Sequence, residues 1–390
     1  MRKIIFSLLL FSTLSVSAQN IDKVLQDIEQ NNTSLKAYRH LNETQRIEAR
    51  SGNVPENPEV EMMRGWKKGG DEKAMEIDVA QGFDFPSAYV ARRKAANAKI
   101  EQLGHEQNAY RQELLLEGKI LCINIIALRQ ELAILTDRVE NTRRMAQAQV
   151  MALEKGEISI LDKNLTDMEL ADLQNQHSLK AIELQTAEEN LQNLNGGVAV
   201  DFAGADYPMT EEVLPQDVMW REYQERAPQL LVLMSEQKNA ELSLKASRHE
   251  ALPGFKVGYH FEQEGEDKLN GIVVGMTVPL WGSRRHIRQN KAQIEYAKAQ
   301  LVSEQINMQS TLKELYARYE ILQKTLSQLQ GIADNQTSVE NYLHQAFTAG
   351  KLSEIDYLTE LNKLYTVREQ RIAVERDLHL VIAEINALNL

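Results

Sequence analysis

Carboxylates at repeated spacings are the residues of this chain best placed to do chemistry. Gly156-Glu157-Ile158-Ser159-Ile160-Leu161-Asp162 is echoed by Gly350-Lys351-Leu352-Ser353-Glu354-Ile355-Asp356. A glycine, an aliphatic residue, a serine and an aspartate keep the same places in both. Serine followed three residues later by an acid is a helix-starting capping pattern. The glycine before it suits a left-handed residue that ends the previous helix. Asp162 and Asp356 therefore have at least a structural task. A third set of acids, Glu76, Asp78 and Asp84, falls at alternate positions between Met75, Ile77, Val79, Phe83 and Phe85. They form the wetted side of a strand, and such a side favours cations if it borders a water-filled bore. His105, His177, His249, His260, His286 and His344 are scattered without paired metal-ligand spacing. There is no nucleophile–base constellation, phosphate-cradling glycine loop or zinc motif. No catalytic residue, cofactor or metal ligand is expected, and neither is an enzyme.

The elements that position these groups repeat as well. Helices are expected over about 21–51, 87–153 and 159–194, and again over about 217–249, 284–347 and 354 to the end. Pro55 and Pro58 break the first half, and Pro253-Gly254 break the second. Two strands follow each break. Val60, Met62 and Trp66 share a face of the first, and Met75 to Phe85 alternate cleanly in the second. Phe255, Val257, Tyr259 and Phe261 alternate in the third, and Ile272, Val274, Met276, Val278 and Leu280 in the fourth. Lys67-Lys68-Gly69-Gly70-Asp71 reads as a solvated loop, with Trp66 and Trp281 at strand ends where interfacial aromatics belong. In the long helices, Leu121, Ile125, Leu128, Leu132, Leu135 and Val139, then Leu312, Leu315, Tyr319, Leu322, Leu326 and Leu329, step by three and four as in coiled coils. At 1.5 Å per residue each uninterrupted helix would be roughly 100 Å long. Two shorter helices stacked end to end would match it, giving a rod with strands at one end and a glycine turn at the other.

The chain divides accordingly into residues 1–18, a first repeat over 19–197, a linker over 198–216 and a second repeat over 217–390. Only 6% of its 390 residues are aromatic and 26% are charged, with 19 Gly and 8 Pro, a composition suited to long helices. Its net charge of −12 argues against nucleic acid as a partner. Arg2 and Lys3 precede an apolar run over 4–16, and Ser15-Val16-Ser17-Ala18 offers small residues for cleavage before Gln19. That reads as an export signal. The one cysteine, Cys122, lies on an apolar helix face and permits no intrachain disulfide. No later stretch is apolar enough for a spanning helix, so an exported chain of this kind is either soluble outside the cytoplasm or inserted as a β-barrel.

Four amphipathic strands cannot close a membrane barrel, whose smallest examples have about eight. An open edge in lipid would leave backbone groups unsatisfied at several kcal/mol each. Several chains must then share one barrel. Two would give about eight strands, filled by their own side chains, and three about twelve, the smallest number that leaves a water-filled bore. The alternative is a small soluble sheet with a half-buried face.

With these features assembled, the sequence resembles the TolC-type outer membrane factors of Gram-negative efflux and type I secretion systems. The resemblance rests on the twofold unit, on Asn57-Pro58 before the first strand, on the corner Phe83-Asp84-Phe85-Pro86, and on the two Gly-x-[Ile/Leu]-Ser-x-x-Asp turns. It implies a mainly α chain with a small β part, a duplicated helix–strand–strand–long-helix–helix unit. Three copies would build an α-helical barrel and one shared 12-stranded β-barrel in the outer membrane lipid, with most of each chain in the periplasm. Gly156, Ile158, Ser159, Gly350, Leu352 and Ser353 would form the tips that dock a periplasmic adaptor. Asp162 and Asp356 would line the closed aperture, and an inner membrane transporter would drive export of cations, drugs or proteins. Leu352 departs from the family, whose well-studied members carry an arginine there, and the short linker and C-terminus imply a reduced belt around the tunnel. An exported coiled-coil scaffold and a periplasmic adaptor are the competing readings. The adaptor fits two hairpins and four strands poorly.

Overall fold

A computed structural model describes residues 16–66, 73–208, 211–279, 282–333 and 336–390. Most of the expected leader, the loop over 67–71 and Trp281 lie outside the described residues. The first half holds α1 (Val16–Asn31), α2 (Thr33–Ser51), β1 (Glu59–Trp66), β2 (Lys73–Phe83), α3 (Pro86–Glu154) and α4 (Ile160–Leu194). The second holds α5 (Gln216–Arg226), α6 (Pro228–His249), β3 (Gly254–Glu264), β4 (Asp267–Thr277), α7 (Gly282–Ala333), α8 (Gln336–Thr348) and α9 (Glu354–Ile385). The fold is mainly helical with one small antiparallel sheet.

Two helices expected to be continuous are each broken once, at corresponding places. Between α1 and α2, the Asn32 side chain accepts a 2.7 Å bond from the Leu35 N–H and donates a 2.8 Å bond to the Leu194 carbonyl. It caps the second helix and ties it to the end of α4. Between α5 and α6, Ala227 is extended at φ −61°, ψ 118°, with Pro228 as the first helical residue. The proline ring disfavours helical geometry at the residue before it and is itself suited to a helix start. Residues 334 and 335, between α7 and α8, lie outside the described residues.

The chain folds into two compact units, each drawing on both halves of the sequence. One comprises residues up to 36, 111–220 and 309–390; the other comprises 37–110 and 221–308. In the first unit Val24, Ile28, Ile125, Ile126, Leu191, Ile382 and Ile385 are buried, and Leu135, Val139 and Leu173 form a separate cluster. Gly118 lets α1 come close: a Cβ there would meet Leu25 at 3.2 Å and Ile28 at 2.8 Å. Cys122 is fully buried in this unit, and burial pushes its thiol up to about 12. Native protein at neutral pH should therefore resist a thiol reagent for hours and react at once in denaturant. Rapid labelling without denaturant would show that α3 is not packed as described.

In the second unit Ala240 and Leu244 of α6 pack with Ile294 of α7. Asn42 bonds the Leu103 carbonyl at 2.5 Å, and Tyr38 stacks on Tyr110 with ring centres 4.7 Å apart. This unit carries the sheet, a meander in the order β1-β2-β3-β4, antiparallel throughout. Residues β2 and β3 come from different halves of the chain, so the pairing from Ala74↔Glu264 to Phe83↔Phe255 joins the two repeats.

Candidate functional site: an uncovered strand face and two glycine turns

Because side chains alternate along a strand, the register decides what each sheet face displays. Val60, Val79, Tyr259 and Ile272 stand in one row across the four strands, and Met62, Ile77, Phe261 and Asn270 in the next. Gln81, Val257 and Val274, then Phe83, Phe255 and Met276, extend the same face over β2, β3 and β4. Among the described residues none covers it fully. Ile272 is 80% exposed and Val274 75%, and Val60, Met62, Val79, Phe83, Val257 and Met276 are exposed too. Contiguous apolar surface on this scale marks a contact with lipid or protein. The lengths suit lipid: β2, β3 and β4 have 11 residues each, within the 9–11 or so that a tilted strand needs to cross a bilayer. The first and fourth strands are sheet edges, open to pairing with another chain. Among the described residues no helix is long and apolar enough to cross a membrane.

The opposite face is acidic. Glu61, Asp78 and His260 share a row, and Glu76 pairs with Glu262 in the next. Lys256 reaches Glu59 at 3.0 Å. Glu76 and Asp78 thus sit where the strand pattern put them. Asp84 does not join them, because it lies one residue past β2. Pro86 begins α3, and Asp84 pairs with Arg92 on the first turns of that helix. The sequence pattern ran the strand one pair too far. His260 belongs to the acidic face too, across from Asp78. Its polar position in β3 was legible; its partners across β2 were not.

Both glycine turns lie in the other unit, and each closes its helix in the same way. Gly156 has φ +72° and Gly350 φ +68°, backbone that a side chain would strain. The N–H groups of Glu157 and Lys351 donate at 2.9 Å to the carbonyls of Ala152 and Ala346, the long bond of a Schellman turn. Ser159 then caps α4 by accepting from the Asp162 N–H, while the Asp162 carboxylate accepts from the Ser159 N–H at 3.1 Å, a full capping box. Ser353 caps α9 and accepts from the Asp356 N–H at 3.2 Å. Each aspartate is engaged within its own turn. Ile158 and Leu352 are half-buried, whereas Ile160, Leu161 and Ile355 just beyond the serines are exposed.

Beside these turns α3, α8 and α9 enclose a groove of about 550 Å³, lined among others by Met145, Ala152, Ile158, His344, Tyr357 and Leu361. Phe347 stacks on Tyr357 with ring centres 4.6 Å apart. Burial, and after it Glu340, raises the Tyr357 hydroxyl above its ordinary value, so the ring stays neutral here. Further along α3, Arg138 binds Glu369 at 2.8 Å and Asn362 at 3.0 Å on α9, lies 3.8 Å from Glu169 on α4, and covers the Tyr365 ring at 5.1 Å. That arginine ties three helices together. Nothing in the sequence marks it, since arginine at a helix surface is common.

No protein-family model matches the sequence, and no curated protein matches it. Solved structures match over nearly all of it. The outer-membrane channel OprN aligns with a TM-score of 0.79 at 13% identity, covering 95% of this chain and 89% of that one. The Campylobacter jejuni CmeC outer membrane channel gives 0.76 at 12% identity, over 99% and 93%. The outer membrane protein VceC from Vibrio cholerae gives 0.76 at 11% identity, over 97% and 99%. This chain has the fold of an outer membrane channel. With so few identical residues, the likeness is one of fold.

Proposed function

We propose that the chain is the outer membrane channel component of a tripartite efflux or type I secretion system, a passive exit duct gated at its periplasmic end. The observation that carries this reading is the uncovered apolar sheet face on a chain with this fold. A soluble scaffold would have to leave that face in water, at about 25 cal/mol for each Å² of apolar surface. Three chains supply the roughly twelve strands of a water-filled barrel, and the open edges of β1 and β4 are where copies join. The apolar rows then meet lipid. Glu76 and Asp78 face the bore and favour cations.

The glycine turns serve as the tips. Gly156, Ile158, Ser159, Gly350, Leu352 and Ser353 shape a surface for a periplasmic adaptor, with the exposed apolar residues beyond each serine as its contacts. An inner membrane transporter supplies the energy. Asp162 and Asp356, besides bonding the serines that cap their helices, bring rings of negative charge to the aperture of a trimer. Such rings attract cations and repel anions. Cations, drugs and secreted proteins are the candidate cargoes. Purified protein added to a planar lipid bilayer should give stepwise single-channel currents that favour cations. Protein that enters the bilayer but carries no current would refute the duct.

A further inference from the structure

On the acidic face of the sheet, four side chains of β2 and β3 stand as a two-by-two block. Asp78 is paired with His260 and Glu76 with Glu262. His260 Nδ1 lies 2.8 Å from Asp78 Oδ1 and 3.6 Å from Glu76 Oε1, and Nε2 lies 3.8 Å from Glu262 Oε2. One donor atom each from Glu76, Asp78 and His260 fall within 4.8 Å of one another. An ion held by nitrogen and oxygen at its usual bond lengths keeps neighbouring ligand atoms about 3.0–3.5 Å apart. The three donors therefore already have nearly the spacing of one coordination sphere.

We infer that Glu76, Asp78 and His260 bind a divalent transition metal ion of the zinc class. The imidazole sets the class. Calcium and magnesium take oxygen ligands, and monovalent copper prefers sulfur, whereas a nitrogen with two carboxylates suits zinc and its first-row neighbours. The two carboxylates balance the charge of the ion. On binding, the ion takes the place at Nδ1 now filled by the hydrogen bond with Asp78, and any proton held there leaves to solvent. Glu262 lies 3.8 Å from Nε2, and a small turn of its side chain would let the carboxylate accept the remaining N–H and fix the ring. Adjacent paired strands hold the ligands with little freedom. Three protein ligands leave a coordination position for water, so the bound ion can exchange. The inference stands on the sheet of one chain and does not require that the chain conduct.

The full chain in detergent, stripped of metal, is titrated with Zn²⁺ by calorimetry and with Co²⁺ by absorption. One ion per chain is expected, with cobalt bands showing mixed nitrogen and oxygen ligation. H260Q and D78N should each weaken binding by more than tenfold, E262Q by about tenfold, and the remote H286Q not at all. Circular dichroism of each variant separates a lost ligand from a lost fold, and D78N and E76Q carry the test if H260Q does not fold. The proposal falls if H260Q or D78N binds Zn²⁺ as well as the parent does, or if the parent takes up no ion below millimolar free metal.

Discussion

Arginine in place of both Ile272 and Val274 should leave the chain synthesised and helical but unable to enter the outer membrane. These residues stand in the middle of β4 on the apolar face, opposite Tyr259 and Val257, and are 80% and 75% exposed in the chain. In lipid, an arginine near the midplane of a barrel strand costs about 2–4 kcal/mol. Two per chain cost about 4–8 kcal/mol, a large share of the roughly 5–15 kcal/mol by which a folded chain is stable. If the face were instead bathed in water, the same pair of substitutions at exposed sites would change stability by less than about 1 kcal/mol and would improve solubility. Membrane fractionation, with helix content checked on the soluble fraction, separates the two outcomes. A double variant found in the outer membrane at the parent's level would remove the basis for the barrel.

Replacing Arg138 by methionine should loosen the helices that carry the glycine turns. The substitution keeps most of the aliphatic bulk but removes bonds to Glu369 and Asn362 and leaves Glu169 and Glu369 without their shared cation. Arg138 is only 12% exposed, so its own desolvation has been met in the folded state, while the two glutamates at 28% and 39% keep some contact with water. A charged hydrogen-bond partner lost in such a half-dry place costs about 1–3 kcal/mol. Asn141 still bonds the Tyr365 hydroxyl at 3.2 Å, and Arg368 still binds Glu340 at 2.6 Å, so the loss is one of grip rather than of fold. If α9 must leave α3 for the tip to open, R138M melts earlier and conducts more at rest. R138K should fall between, because it keeps the charge and loses the fork. An unchanged melting temperature together with an unchanged resting current would show that the network does not hold the tip.

Much of this architecture was legible because the two periods involved differ so plainly. Alternation in Phe255–Phe261 and Ile272–Met276 marks strands, and steps of three and four over Leu121–Val139 mark a helix. The glycine turns were legible from their own residues, since a Schellman turn and a cap are local. What stayed hidden depends on distant partners. Asn32 breaks its helix with help from the Leu194 carbonyl, which no local pattern reveals, whereas Pro228 gave a visible sign of the corresponding break. His260 meets Asp78 only through the β2–β3 pairing, which joins the two halves of the chain. In the sequence, alternation continues through Asp84 to Phe85. Pro86 stops the strand earlier, and Arg92 then claims the carboxylate.

The most direct test of the central claim, that copies of this chain complete one another's membrane wall, is the detergent-corrected mass of the protein extracted from outer membranes. Three chains per particle is the expected value, since three is the smallest number whose strands enclose a bore. A single chain, stable and soluble with no detergent bound, would contradict it.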